Sequence, residues 1–229
     1  MISINGLNIA YGSHQVIVDL NWELQEGLIH GLVGLNGSGK TTLLQSMSGI
    51  LKPQAGSLNF RGEKFTPQNI SMLETEPYFY KGITGVEYLH LFKSPGNTRF
   101  IAQEWLDLFS VPGDELIDNY STGMRKKLAL IGICKLSRPV ILLDEPFNGL
   151  DLESSRILTS VLKKLVSKGH TIIITSHILE TLTGLCTYIH YLRNGVIANV
   201  FNAEDSALID KTIFAELDAG IEKKIEGIL

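Results

Sequence analysis

Charge is scarce in this chain. Charged residues make up 19% of its 229 positions, against a usual value of about 25%. Basic residues are outnumbered, 20 to 24 acids, so the net charge is −4. No polybasic arm is present, and nothing electrostatic favours a nucleic acid as partner. Cysteine is nearly missing. Cys134 and Cys186 lie in apolar settings (IGICKL, GLCTYI), which read as buried reduced thiols, not as a disulfide or a metal pair. Long apolar runs are lacking as well. A spanning helix needs about 20 mostly apolar residues, and the longest charge-free windows here are studded with Gly, Asn, Ser and His. The opening Met1-Ile-Ser-Ile-Asn-Gly has no basic flank and no continuous apolar core, so no signal peptide is expected. Repeats and low-complexity linkers are also absent from the pattern. What is there suits a folded protein: 44% apolar residues, and a length that buries roughly 70–75% of the unfolded surface without disulfides or metal. Disorder and collagen are excluded.

The first forty residues alternate as strands do. Ile2 and Ile4, Val16-Ile-Val18, and Trp22 with Leu24 are separated by turn residues Asn5-Gly6 and Tyr11-Gly-Ser13. Leu28 to Val33 is an apolar run that predicts a buried strand. Leu43, Leu44, Met47 and Ile50 carry helical spacing over 41–51, with Pro53 and Gly56 expected to stop that helix. Residues 76–138 read as short helices, among them 86–92 and 100–109, cut by Pro77, Gly82, Gly85, Pro95 and Pro112. Strands at 70–73, 140–143, 171–175 and 188–192 alternate with helices at 154–166 and 179–186, which means βαβ units and a parallel sheet. The expected fold is therefore α/β, with the helical stretch inserted into the core.

Two motifs carry chemistry. Gly34-Leu-Asn36-Gly37-Ser38-Gly39-Lys40-Thr41-Thr42 matches G-x-x-x-x-G-K-[ST] between a buried strand and a helix. Glycines let backbone N–H groups curl around phosphate oxygens, and the helix N-terminus adds a positive dipole end. Lys40 can reach the β- and γ-phosphates, and the Thr41 hydroxyl can sit on Mg²⁺. Val140-Ile-Leu-Leu-Asp144-Glu145-Pro146 is a buried strand ending in two acids, at the carboxyl edge where ligands bind in open α/β sheets. Asp144 can hold Mg²⁺, and Glu145 can polarise a water for attack on the γ-phosphate.

With these motifs in place, the sequence resembles the ATP-binding cassette (ABC) ATPases over at least 2–198. Tyr120-Ser121-Thr122-Gly123-Met124 looks like the family's Leu-Ser-Gly-Gly-Gln signature loop. Ser121 and Gly123 match, and the other three positions depart. Tyr-Ser-x-Gly-Met followed by basic residues is similar to a variant of exporter-type, ABC-2-like cassettes. The resemblance implies that Ser121, Thr122, Gly123 and Met124 meet the γ-phosphate bound on an opposite subunit. It implies that Asp151, in Asn148-Gly149-Leu150-Asp151, is the acid of the D-loop that crosses between subunits. It implies that His177, after Ile174-Thr-Ser, contacts the γ-phosphate, and that Tyr11 stacks on adenine. The family usually places a Gln where the core joins the helical insertion. Here Thr75 stands there, between Glu74 and Glu76, with Gln68 upstream on the wrong side of the strand.

The implied fold is a P-loop NTPase core with a mostly parallel sheet, an N-terminal antiparallel β subdomain and a helical insertion. The expected division is one domain over 1–229, with a core of 1–75 and 139–229 and a helical subdomain over 76–138 ending in the signature loop and its helix. The implied activity is ATP hydrolysis with Mg²⁺ by an ATP-sandwich dimer, of two copies or of one copy with a homologous subunit. The work would be done on a separate transmembrane permease subunit, with the protein peripheral on the inner face of the cell membrane, and export favoured. A soluble cassette ATPase acting in protein or cluster assembly is the rival reading. Tyr78, Phe79, Tyr80, Tyr88 and Phe92 are read either as a docking groove for the permease or as packing within the insertion. Arg125-Lys126-Lys127 is expected to be a solvated helix face. His14, His30, His90, His170 and His190 are expected to be structural or solvated. The tail from Asn202 is expected to cap the core through Leu208, Ile209, Ile213, Leu217, Ile221 and Ile225.

Overall fold

A computed structural model of the chain describes residues 1–93, 99–205 and 207–212. In chain order the strands are β1 (Ile2–Tyr11), β2 (His14–Leu24), β3 (Ile29–Val33), β4 (Ala55–Phe60), β5 (Glu63–Lys64), β6 (Ile70–Leu73), β7 (Val140–Leu143), β8 (Thr171–Thr175), β9 (Tyr188–Arg193) and β10 (Val196–Asn202). The helices are α1 (Lys40–Ser48), α2 (Gly85–His90), α3 (Ala102–Leu108), α4 (Thr122–Leu136), α5 (Leu152–Ser167) and α6 (Leu179–Thr183), with a 3₁₀ turn at Ile117–Asn119.

The strands form two sheets. One is antiparallel, in the order β2-β1-β4-β5. The other runs β10-β9-β3-β8-β7-β6, parallel except for the antiparallel edge strand β10. The parallel strands β3, β7 and β8 are buried on both faces, which is why they read as continuous apolar runs. Their alternate side chains serve two cores. Ile141, Leu143, Ile172 and Ile174 pack with α4 and α5. Leu142 and Ile173 point the other way, toward α1 and the antiparallel sheet. A third cluster joins α2 and α3 to the Leu128/Ile131 face of α4. Helix α4 therefore belongs to two cores at once.

Several expectations shift by local chemistry. Asn5-Gly6 makes no turn: it lies inside β1, where Gly6 takes φ 58° and the pairing to β2 slips register, a bulge. Helix α1 stops at Gly49, a left-handed cap at φ 83°, ahead of Pro53. Helix α6 ends at Thr183, three residues early. Strands β4, β5 and β10 were not visible in the pattern. All three are mostly exposed edge or near-edge strands, so little hydrophobic alternation marks them. Gly56 of β4 passes so close to β1 that a Cβ there would meet the Gly6 carbonyl oxygen at 2.5 Å. In the tail, Leu208 is exposed while Ile209 is fully buried in the core that also holds α5. Ile213, Leu217, Ile221 and Ile225 lie outside the described residues. No helix among the described residues is long and apolar enough to cross a membrane.

Candidate active site

The carboxyl ends of four adjacent strands, β3, β8, β7 and β6, line one edge of the parallel sheet in register. Each carries one part of the site. The phosphate loop follows β3, Ser176-His177 follows β8, Asp144-Glu145 follows β7, and Glu74-Thr75 follows β6. Residues more than one hundred positions apart meet because parallel in-register pairing aligns the strand ends.

The phosphate loop is built for close approach. A Cβ on Gly34 would lie 2.5 Å from the Leu192 carbonyl oxygen and 2.6 Å from Ser38 Oγ. Gly39, the N-cap of α1 at φ 102°, would meet Val16 Cγ1 at 2.9 Å. Lys40 reaches back across the loop, donating from Nζ to the carbonyls of Gly34 at 2.7 Å and Leu35 at 3.2 Å. Burial pushes its ammonium pKa down, against the opposing pull of Glu145 and Asp144. A cavity of about 350 Å³ is lined by Asn36, Gly37, Gly39, Lys40, Thr41, Thr42, Asp144, Glu145 and Val16. A second, of about 420 Å³, shares Asn36, Gly37 and Val16 and extends over Ser38, His14, Gln15 and Asn194.

Asp144 is the hub. It is 1% exposed. Its Oδ2 accepts from Thr41 Oγ1 at 2.7 Å and Thr75 Oγ1 at 3.0 Å, and its Oδ1 accepts from Thr175 Oγ1 at 2.6 Å. Thr175 also takes the Glu145 backbone N–H at 2.8 Å. The Glu145 backbone lies at φ 49°, an unfavourable conformation for a side-chain-bearing residue, and its Oε2 lies 3.0 Å from His177 Nδ1. Thr41, Asp144 and Thr75 offer only hydroxyl and carboxylate oxygens. That hard donor set fits Mg²⁺, which takes one or two protein ligands and leaves its other positions to phosphates and water.

Other expected site residues stand apart. Tyr11 is half exposed at the β1–β2 hairpin and lines neither cavity. Ser121 caps α4, accepting from Met124 N at 3.2 Å, with Thr122, Gly123 and Met124 in the first turn. None of the four lines either cavity. A Cβ on Gly123 would come within 3.0 Å of the Gly149 carbonyl oxygen, so the first turn of α4 packs on the 148–151 loop of the same chain. Asp151 caps α5 through Ser154 and pairs with Lys127 Nζ at 2.8 Å. These contacts, Lys127 foremost, hold its carboxyl well below the usual range.

The basic run overturns its expectation. Arg125-Lys126-Lys127 is no solvated face: Lys126 is 4% exposed, and the Lys127 side chain is 12% exposed. Both point into the β7–α5 turn because α4 packs against it, and a one-helix charge pattern cannot reveal that neighbour. His14 is exposed, in line with its structural-or-solvated reading, and lines the larger cavity. Thr175 was missed, since a Thr ending an apolar strand carries no signal of its own. Both cysteines are half-buried and unpaired, and desolvation pushes their thiols up to about 12, in keeping with inert structural cysteines.

The ABC transporter family model matches residues 17–148, a span running from β2 through both phosphate-site motifs. This chain belongs to the ABC transporter family. As an ABC ATPase it is the ATP-binding part of such a transporter. It is 30% identical over 219 residues to the uncharacterized ABC transporter ATP-binding protein YcbN of Bacillus subtilis, covering 90% of this chain and 70% of that one. It is 28% identical over 226 residues to the ribose import ATP-binding protein RbsA of Cereibacter sphaeroides, covering 90% of this chain but only 45% of RbsA. Among solved structures, the ATP-binding cassette MJ0796, a post-hydrolysis dimer bound to ADP and Pi, superposes with a TM-score of 0.76 at 18% identity, over 89% of this chain and 99% of that one. That likeness identifies the P-loop NTPase fold of the ABC ATPases.

Proposed function

We propose that this ABC ATPase hydrolyses ATP at composite sites between two such chains, and so drives a separate membrane subunit, in the direction of export. The observation that carries the reading is the split between two surfaces of one chain. The phosphate loop, Thr41, Asp144, Glu145 and His177 converge on one sheet edge, while Ser121 and Gly123 sit outside the cavities they would have to complete. A signature loop that cannot serve its own phosphate site suits a partner's.

In this reading Lys40 and the backbone of 34–42 hold the phosphates, and Tyr11 stacks on the base. Thr41 and Asp144 would hold Mg²⁺, which supplies charge neutralisation at the phosphates when bound, and Thr75 supports Asp144 from the other side. Glu145 orients the attacking water, with His177 fixing its carboxylate. Ser121 and Gly123 of the facing chain complete the charge-stabilising shell. Asp151 stays at the D-loop end, where it sets the entry of α5. Residues 1–75 and 139–229 form the ATPase core, and 76–138 the helical part. Tyr78, Tyr88 and Phe92 line a cleft of about 190 Å³ with Met72, Leu73 and Glu74, directly beside Thr75. Tyr78 and Tyr80 are 74% and 59% exposed, which suits docking of a helix from the membrane subunit. The protein then works on the cytoplasmic face of the membrane. The Tyr-Ser-x-Gly-Met form and the short helical insertion favour export.

The test is Glu145→Gln with saturating ATP and Mg²⁺. Hydrolysis should stop, ATP binding should persist, and size-exclusion chromatography should show a dimer. A monomer under those conditions counts against the composite site.

A further inference from the structure

Lys126 is a charged residue on α4 with almost no exposure, and it lines neither cavity of the phosphate site. Its Nζ donates to the backbone carbonyl oxygen of Glu145 at 2.5 Å. Burying an ammonium is expensive, and an apolar side chain of like volume would fill the space without that cost. Burial depresses its pKa, with the charges of Glu145 and Asp144 pulling the other way.

The bond lands on a residue that needs holding. Glu145 sits at φ 49°, where a side-chain-bearing residue persists only if its surroundings insist. Its N–H is fixed by Thr175 Oγ1 at 2.8 Å, and its carbonyl by Lys126 at 2.5 Å, with Asn148 N more distant at 3.3 Å. Thus one peptide flank is tied to the sheet and the other to α4. The side chain that leaves this clamped Cα is the one whose Oε2 meets His177. Helix α4 is itself the element shared by the sheet core and the helical core, and it begins at Ser121.

We propose that Lys126 is a positioning residue for hydrolysis: its hydrogen bond from α4 to the Glu145 carbonyl aims the Glu145 carboxylate and ties that aim to the seat of the signature helix. The inference rests on Glu145 being the residue that orients the attacking water. A shift of α4 relative to β7 would lengthen the bond and turn Glu145 away, so the seating of the signature loop is communicated within one chain to the acid beside its own phosphate loop. ATP binding, which Lys126 does not touch, stays outside this link.

The experiment compares wild type, Glu145→Gln and Lys126→Met, each as the purified full chain, by steady-state ATP hydrolysis, Mg-ATP titration and thermal melting. Met keeps an unbranched stem of similar length and removes donor and charge. The expected result is a loss of kcat of at least tenfold, with KM and nucleotide affinity within twofold and Tm unchanged or raised. A kcat within twofold of wild type, alongside an inactive Glu145→Gln, overturns the Lys126 proposal alone. So does a loss in which Tm, nucleotide affinity and kcat fall together, the mark of a merely structural role. An active Glu145→Gln instead removes the reading beneath it. Should the Met variant not fold, Lys126→Gln carries the same test: kcat should fall at least threefold at unchanged KM, and no fall overturns the proposal.

Discussion

The Thr75 hydroxyl lies 3.0 Å from Asp144 Oδ2, the same oxygen that accepts from Thr41 at 2.7 Å. Thr75, which the resemblance would align with the cassettes' usual Gln, puts a short hydroxyl in direct contact with the acid that would hold Mg²⁺. Glu74, next to it, is bonded to Gln45 of α1 at 3.3 Å. The strand end that leads into the helical part is thus tied both to Asp144 and to the helix behind the phosphate loop. Thr75→Val, which keeps the shape and removes the hydroxyl, should lower ATPase activity by about 10–100-fold, the size of one hydrogen bond to a charged group. Thr75→Gln should not reduce it. A large loss in the Gln variant, read as kcat across a Mg²⁺ titration, would sink the assignment of this position.

Gly34 is the phosphate-loop residue with the least room. A Cβ would press on the Leu192 carbonyl oxygen, which is backbone and cannot rotate away, and on Ser38 Oγ. Gly34→Ala should cost about 1–3 kcal/mol of stability, as overpacking does, and weaken ATP binding at least tenfold. Chemical denaturation and nucleotide titration would show both effects. Normal ATP affinity in the variant would mean the loop adapts.

A buried chain of hydrogen bonds joins the two sheets and makes stability pH-dependent. Trp22 Nε1 donates to His190 Nδ1 at 2.9 Å, His190 Nε2 meets His30 Nδ1 at 3.1 Å, and His30 Nε2 meets the Gln25 carbonyl at 2.8 Å. The direction is set at both ends: Trp can only donate and a carbonyl can only accept. Both rings are therefore neutral with the proton on Nε2. Burial lowers both pKa values, His190 to about 3 with His30 beside it adding to the effect. A depressed histidine pKa favours the neutral fold. The contribution is complete above the unfolded value of 6.5 and is lost as pH falls from there toward 3. Each such group steepens the acid limb by up to about 1.4 kcal/mol per pH unit. In His190→Gln, whose amide oxygen can still accept from Trp22, the slope of stability between pH 6 and pH 4 (on the order of two units below the free value) should flatten by about that amount. An unchanged slope would show that other groups govern the acid limb.

Tyr78 and Tyr80 stack edge to face with centroids 5.5 Å apart, and both are exposed. Tyr78→Ser with Tyr80→Ser should leave stability within about 0.5 kcal/mol, as exposed substitutions do, and leave ATPase activity of the isolated chain unchanged. Co-purification with a polytopic membrane protein should be lost. Retained capture of that partner would move the docking surface elsewhere.

Much of the site was legible because its parts are linear. The phosphate loop, the acid pair after β7 and the strand alternation are each contained in a dozen residues or fewer, and their chemistry demands those residue types at that spacing. Buried parallel strands announce themselves as apolar runs because both faces are covered. Strands β4, β5 and β10, at or next to a sheet edge, do not, since solvent on one or more sides relaxes the choice of side chain.

What the sequence by itself determined is the α/β class and which residues are candidates for the phosphate site. What only the tertiary structure decided is where charge goes once helices pack. Arg125-Lys126-Lys127 reads as a wet face until α4 is laid across the β7–α5 turn, and then Lys126 is on the Glu145 carbonyl and Lys127 is on Asp151. His30 and His190 look like two unrelated histidines until β3 and β9 lie side by side. Thr75 and Thr175 gain meaning only at the in-register ends of β6 and β8. In each instance the deciding partner is distant in the chain, and a side chain's burial and partners are properties of the packed pair, which no local pattern encodes.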